Sequence, residues 1–140
     1  MPISLQDGSF PLSKKAVSKL WREAIAYRGF SDDQVNIKNV SLEEIRTLNK
    51  HYRRQDKVTN VLTFSYEDEH DVVLCLPVAE QEARARGVKL PDYVALLLVH
   101  AFLHATGMDH EQSEEESRQT ENAEREILRA AGFSENALTL

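Results

Sequence analysis

The chain has 140 residues, of which 41% are hydrophobic and 29% charged, with a formal net charge of −6. That length and balance describe a single globular domain over residues 1–140, and no stretch reaches the ~18 apolar residues needed to span a bilayer. One cysteine, Cys75, excludes an internal disulfide and fits a reducing compartment; the start of the chain shows neither a basic nor an apolar leader region, so the expected location is the cytoplasm.

Ile3–Leu5 is short and strand-like. Ser13 offers an N-cap for a helix with Val17, Leu20, Trp21, Ala24 and Ile25 at i, i+3, i+4, i+7, i+8 spacing, and Gly29 ends it. Residues 35–40 alternate apolar and polar, as a half-buried strand does. Ser41 and Glu44 form a capping-box pattern opening a second helix, with Leu42, Ile45, Leu48 and Tyr52 expected on its inward face. Residues 61–66 and 72–76 read as two strands of a hairpin around the polar run 67–71. Pro77 begins a short helix ending near Gly87, and Pro91 suits the first turn of a fourth helix. Ser113 and Glu116 cap a last helix that closes at Gly132, with Ala123, Ile127, Leu128 and Ala131 as its apolar stripe. About five helices and four strands, with a hairpin in place of repeating βαβ units, predict an α+β fold with a small mixed four-stranded sheet.

The fourth helix is the most informative. Residues 94–99 are apolar almost all round, which predicts a buried central helix. The run His100-Ala-Phe-Leu-His104-Ala-Thr-Gly107-Met-Asp-His110 follows directly. Two histidines four apart share one helix face, their Cβ atoms about 5–6 Å apart, so both imidazoles can reach one ion. Gly107 can adopt the left-handed conformation that ends a helix, and the turn can bring His110 round as a third ligand. Three nitrogen ligands and an open fourth position describe a catalytic zinc site, with one Zn2+ per chain. The alternative is a set of core histidines, but imidazoles on a buried helix need polar partners. The same spacing occurs in the metzincin zinc proteases, which carry a Glu base directly after the first histidine. Here that position is Ala101. A methyl group takes no proton, so peptide hydrolysis by that route is disfavoured.

The acidic total hides an uneven distribution. Residues 111–126 hold seven Glu against two Arg, whereas residues 50–57 hold Lys50, Arg53, Arg54 and Lys57 against Asp56. Local potential governs phosphate binding, so the basic cluster is a candidate RNA contact and the acidic run should keep RNA away from the last helix. Charge alone does not separate an RNA contact from a solvated helix end.

Two segments carry a family resemblance. Residues 52–64 read Tyr-Arg-Arg-Gln-Asp-Lys-Val-Thr-Asn-Val-Leu-Thr-Phe, and the helix-plus-turn keeps His100, Leu103, His104, Gly107, Asp109 and His110 in a His-Gly-x-Leu-His-Leu-x-Gly-x-Asp-His pattern. On these residues the chain resembles the YbeY family of bacterial endoribonucleases and ribosomal RNA maturation factors. The resemblance implies that His100, His104 and His110 hold zinc and that Arg53, in the Tyr-Arg-x-x-Asp segment, is the functional arginine. It further implies a zinc-dependent, single-strand-specific endoribonuclease acting in maturation of the 3′ end of 16S rRNA and in ribosome quality control. Ribosomal RNA, the small ribosomal subunit and its proteins, or an assembly GTPase would be the partners. Ala101, Ala105 and His70 depart from the family pattern.

An arginine presents a planar fork that matches the charge developing on phosphoryl oxygens, so Arg53 is the catalytic candidate, with Lys50, Arg54 and Lys57 holding the flanking backbone. Asp109 is a candidate to orient an imidazole, an exposed turn aspartate being the alternative. No general base is identifiable; His51 and His70 qualify by type only and are expected at the surface. The rival readings are a ribosome-assembly factor that binds RNA and protein around a structural zinc, and a metalloprotease.

Overall fold

The computed structural model describes residues 3–5, 10–29, 33–107 and 113–133. Three helices start as the serine signals require. Ser13 caps α1 (Lys14–Arg28), Ser41 caps α2 (Leu42–Arg53) and Ser113 caps α5 (Glu114–Ala130). Each hydroxyl accepts a backbone N–H three residues on at 3.1 Å, satisfying a donor that the helix itself leaves unpaired. Gly29 and Gly87, at φ 70 and 67, end α1 and α3 (Leu76–Arg86) in the left-handed conformation.

The strands are β1 (Ile3–Leu5), β2 (Gln34–Asn39), β3 (Val61–Ser65) and β4 (Glu69–Leu74), in the order β1-β2-β4-β3. β1, β2 and β4 run parallel, and β3 pairs antiparallel to β4. The class is the expected α+β, with five helices and a mixed sheet. The hairpin is tighter than expected. Tyr66 N–H donates to the Glu69 carbonyl at 2.8 Å, so most of the polar run belongs to β4 and only Glu67 and Asp68 make the turn. The strand also stops sooner than expected, because Leu76 already opens α3.

Two apolar clusters sandwich the sheet. On one face α1, α4 (Leu90–Ala105) and α5 pack over Val35, Ile37, Val72 and Leu74. On the other, Ile45 of α2 meets Val40, Leu62, Val73 and Cys75. Helix α4 is the core of the first cluster: from residue 93 to 103 every residue but His100 is buried. At about 1.5–3 kcal/mol for each large apolar side chain removed from water, this helix is the largest single contributor to the fold. Trp21 is fully buried beside it, edge-on to Phe102 at 5.0 Å. No single described helix is long and apolar enough to cross a membrane.

Two expectations are corrected. Ile45 and Leu48 turn inward on α2, but Leu42 and Tyr52 are exposed at 48% and 61%, and Asn49 is the buried residue beside Ile45. The buried cluster on this face takes Ile45 and Leu48 from α2, and Tyr52 reaches the sheet only edge-on, its ring 5.1 Å from Phe64 of β3. His70 is not a surface residue. It is 5% exposed, its Nδ1 2.9 Å from Ser65 Oγ and its Nε2 2.9 Å from Asp33 Oδ2, with the Trp21 ring 5.7 Å away. The imidazole thus ties the segment before β2 to the hairpin. His70→Ala removes two hydrogen bonds and part of the Trp21 packing, and should lower unfolding free energy by about 2–3 kcal/mol in urea denaturation. A loss below 0.5 kcal/mol would show that water replaces the ring.

Candidate metal centre and nucleic-acid cleft

His100 and His104 lie on the one side of the C-terminal half of α4 that the core does not cover. The His100 imidazole is half-buried, whereas His104, one turn on, is exposed. Their ring centroids lie 6.2 Å apart, close enough for both to turn towards a common ion. Gly107, at φ 94, then takes a conformation that L side chains rarely adopt. Arg28 Nη2 donates to the Thr106 carbonyl at 3.1 Å and so caps the end of α4. His110 and Asp109 lie outside the described residues. Among the described residues no three His, Cys, Asp or Glu side chains converge into a metal set.

The chemistry of the two imidazoles still fits a metal. His100 Nδ1 is 2.6 Å from Glu124 Oε2, a carboxylate that is 7% exposed. A metal-bound histidine characteristically donates its other ring N–H to such an acceptor, which fixes the tautomer. With Nδ1 engaged, Nε2 is the nitrogen that would meet the ion. Glu124 went unnoticed among the acidic residues of α5. The signal was legible: Thr120, Ala123, Glu124, Ile127 and Leu128 form the buried stripe of α5, and an acid on an apolar stripe needs a partner. The last helix is therefore not simply a solvated acidic face.

A cleft of about 480 Å³ runs beside these histidines, lined by Tyr52, Arg53, residues 59–64, His100, Ala101 and His104. Arg53, the last residue of α2, lines the same cleft as the two imidazoles. Among its described lining residues there is no carboxylate. Lys50, Arg54 and Lys57 are exposed nearby but are not part of the lining. Asp56 does not dilute the basic cluster, because Arg46 Nε donates to its Oδ1 at 2.8 Å, and this bond holds the Asp56 carboxyl below the ordinary carboxylate range. Asn49 Nδ2 donates to the Lys57 carbonyl at 2.9 Å and pins the segment after α2. His51 is exposed and edge-on to Tyr52. Ala101 lines the cleft but is 1% exposed, so the position of a metzincin base holds a buried methyl.

A second cavity of about 410 Å³ shares Asn60, Val61 and His100 with the cleft and reaches Arg86, Glu121 and Glu124. Between the two, Glu82 Oε1 accepts from Asn60 Nδ2 at 3.0 Å and from the Tyr93 hydroxyl at 2.9 Å. Burial, reinforced by Glu82, pushes the Tyr93 phenol up to about 12. It therefore stays protonated as a donor, and Glu82 holds Asn60 at the junction of the two spaces.

Comparisons with known proteins converge on one reading. The family model described as Endoribonuclease YbeY matches residues 3–132. Proteins of that name from Delftia acidovorans and Paracidovorax citrulli are 42% and 39% identical, over 89% and 96% of this chain and 82% and 94% of their own. A relative from Burkholderia thailandensis is 45% identical over 87% of this chain, but the match spans only 29% of its length. The solution structure of TM1509 from Thermotoga maritima superposes with a TM-score of 0.63 at 25% identity, over 92% of this chain and 88% of that one. These matches define a nuclease of the hydrolase class. The chain belongs to the YbeY endoribonuclease family.

One backbone feature of the cleft mouth bears on stability. Arg54, the C-cap of α2, is the only described residue other than glycine with a positive φ, at 58. The left-handed conformation costs an L residue about 1–2 kcal/mol, and the extra unfolded-state freedom of glycine offsets about 0.5–1 kcal/mol of any relief. Arg54→Gly should therefore raise the thermal midpoint by up to a few degrees. A lower midpoint would mean that the arginine side chain repays its own strain.

Proposed function

We propose that this chain is a zinc-dependent, single-strand-specific endoribonuclease, with residues 1–140 acting as one domain. The reading carries to ribosomal RNA in the cytoplasm: maturation of the 3′ end of 16S rRNA and ribosome quality control, with the small ribosomal subunit, its proteins or an assembly GTPase as partners. The observation that carries it is the cleft that His100, His104 and Arg53 line together, with no carboxylate among its described lining residues. A phosphodiester is an anion, and such a lining accepts one where an acidic lining would repel it.

His100 and His104 would hold the zinc, with His110 as the third donor by its place in the motif and Asp109 as a neighbour suited to steady it. Zinc supplies Lewis acidity and a nucleophilic water at neutral pH. The protein's own groups do the rest. Glu124 Oε2 accepts the Nδ1 proton of His100 and so holds the ring in the tautomer that offers Nε2. Arg53 places a guanidinium against the phosphoryl oxygens, where negative charge grows as the bond to the leaving oxygen breaks. Lys50, Arg54 and Lys57 act outside the cleft as point contacts to the flanking backbone, contributing affinity and salt dependence. The buried methyl of Ala101 disfavours peptide hydrolysis. A protein that only binds RNA around a structural zinc would not lose its effect when Arg53 is removed without loss of binding.

Elemental analysis should find close to one zinc per chain, lost in His104→Ala. Glu124→Ala should keep the fold by circular dichroism but weaken zinc about 10–100-fold in chelator competition, with Glu124→Gln between it and wild type. Equal affinity in all three would remove Glu124 from the metal centre.

Arg53→Ala should lower the single-turnover cleavage rate by about 10²–10³-fold while weakening RNA binding much less. Lys57→Ala should do the reverse, lowering affinity and its salt slope. Normal cleavage by Arg53→Ala at saturating RNA would reduce that residue to a phosphate anchor.

A further inference from the structure

Part of the wall of the cleft is the strand β3 with the residues just before it. β3 is the outer strand of the sheet, and no described strand lies beyond it. Asn60 O accepts from Cys75 N–H at 2.9 Å, and Tyr66 N–H donates to Glu69 O at 2.8 Å. Both bonds continue the β3–β4 register, in which Leu62 faces Val73 and Phe64 faces Asp71. Antiparallel ladders alternate between bonded and non-bonded pairs. Residues 60, 62, 64 and 66 therefore turn their backbone groups to β4. Val61 and Thr63 turn theirs away from it, at the edge where residues 59–64 line the cleft.

Successive outward N–H groups on a strand are two residues, or about 6.7 Å, apart, each with a carbonyl beside it. An unpaired row of this kind is a ready template for an extended ligand. An extended ribonucleotide strand matches it chemically. Its phosphate oxygens accept from N–H groups, and its 2′-hydroxyls donate to carbonyls, which deoxyribose cannot do.

We infer that the outer edge of β3 is the docking rail of the cleft: single-stranded RNA lies along Val61 and Thr63, phosphate oxygens on the N–H groups and ribose 2′-hydroxyls on the carbonyls. The inference rests on the endoribonuclease reading and adds what recognises the strand. An extended peptide is the other common occupant of a strand edge. Charge favours the nucleic acid, since among the described lining residues the one with a fixed charge is Arg53 and the basic segment 50–57 adjoins it in the chain. Tyr52, 61% exposed and edge-on to Phe64 at 5.1 Å, adds an aromatic surface on which a base can stack. A duplex has no place here, because a strand edge reads one extended backbone at a time.

Proline is tolerated in an outer strand where the lost N–H points away from the ladder. Thr63→Pro therefore removes one rail donor and leaves the bonded pairs on either side intact, and Thr63→Val controls for the side chain. The assay is single-turnover cleavage of an unstructured oligoribonucleotide by the zinc-loaded protein, with an oligodeoxynucleotide of the same sequence as competitor. Thr63→Pro should raise the half-saturating concentration about tenfold, as expected for losing a hydrogen bond to a charged group, and leave the salt slope unchanged because no cation is lost. Thr63→Val, which keeps the backbone N–H and drops only the hydroxyl, should raise the half-saturating concentration clearly less than Thr63→Pro does. For wild type, the deoxy strand should compete at least tenfold more weakly than the same ribo strand, and this comparison decides the matter if Thr63→Pro fails to fold. Equal competition by the two strands, or a folded Thr63→Pro with wild-type half-saturation, overturns the rail while leaving the nuclease reading in place. A wild-type protein that cuts no RNA but holds an extended peptide in this cleft overturns both.

Discussion

The burial of α4 is the constraint on which the rest of the structure depends. Its apolar face covers nearly the whole circumference, so the fold has to supply cover from every direction: the sheet on one side, α1, α3 and α5 on the others. Only the side of its C-terminal half that carries His100 and His104 escapes that requirement. The histidines therefore emerge at one defined place, at the end of a rod held as firmly as anything in the molecule. A site built on such a rod needs little further support to keep its geometry, and loop residues are left to contribute reach and charge.

The chain separates its charges by function. Carboxylates cluster on α5, where one is drawn inward to meet His100 and others stay in solvent. Cations gather where α2 ends, and Arg46 neutralises the one aspartate among them. The cleft lies between these two regions, bounded on one side by the buried carboxylate behind a ring and on the other by the guanidinium in front of it. Overall acidity is therefore no guide to what this protein binds. The field that matters is the local one, a few ångströms across and partly shielded from water.

Much of this was legible in the sequence, for reasons that differ from element to element. Serine caps and left-handed glycines act within one turn of chain, so Ser13, Ser41, Ser113, Gly29 and Gly87 could be read where they stand. The period of α1 and the unbroken apolar run of α4 announced burial. The approach of Arg53 to the histidines came from a family likeness, not from spacing. What could not be read depends on distant partners. The outer position of β3 is decided by pairing across many residues, and the inward turn of His70 by Asp33 and Ser65. Tyr52 has an inward period and meets Phe64 edge-on, yet most of its ring stays in solvent. Glu124 was hidden by its company, one acid among seven, until the stripe it sits on was compared with the residues around it.

The contact between Arg28 and the Thr106 carbonyl links two places 78 residues apart in the chain. It joins the last turn of α1 to the last turn of α4, and the guanidinium stands 3.9 Å from where a side chain on Gly107 would begin. The geometry of the turn leading towards the third histidine is thus partly encoded in a helix that contributes nothing to the cleft. A change at the end of α1 therefore acts on the same joint as a change at residues 106 and 107. A homologue that changes either alone inherits half of a joint.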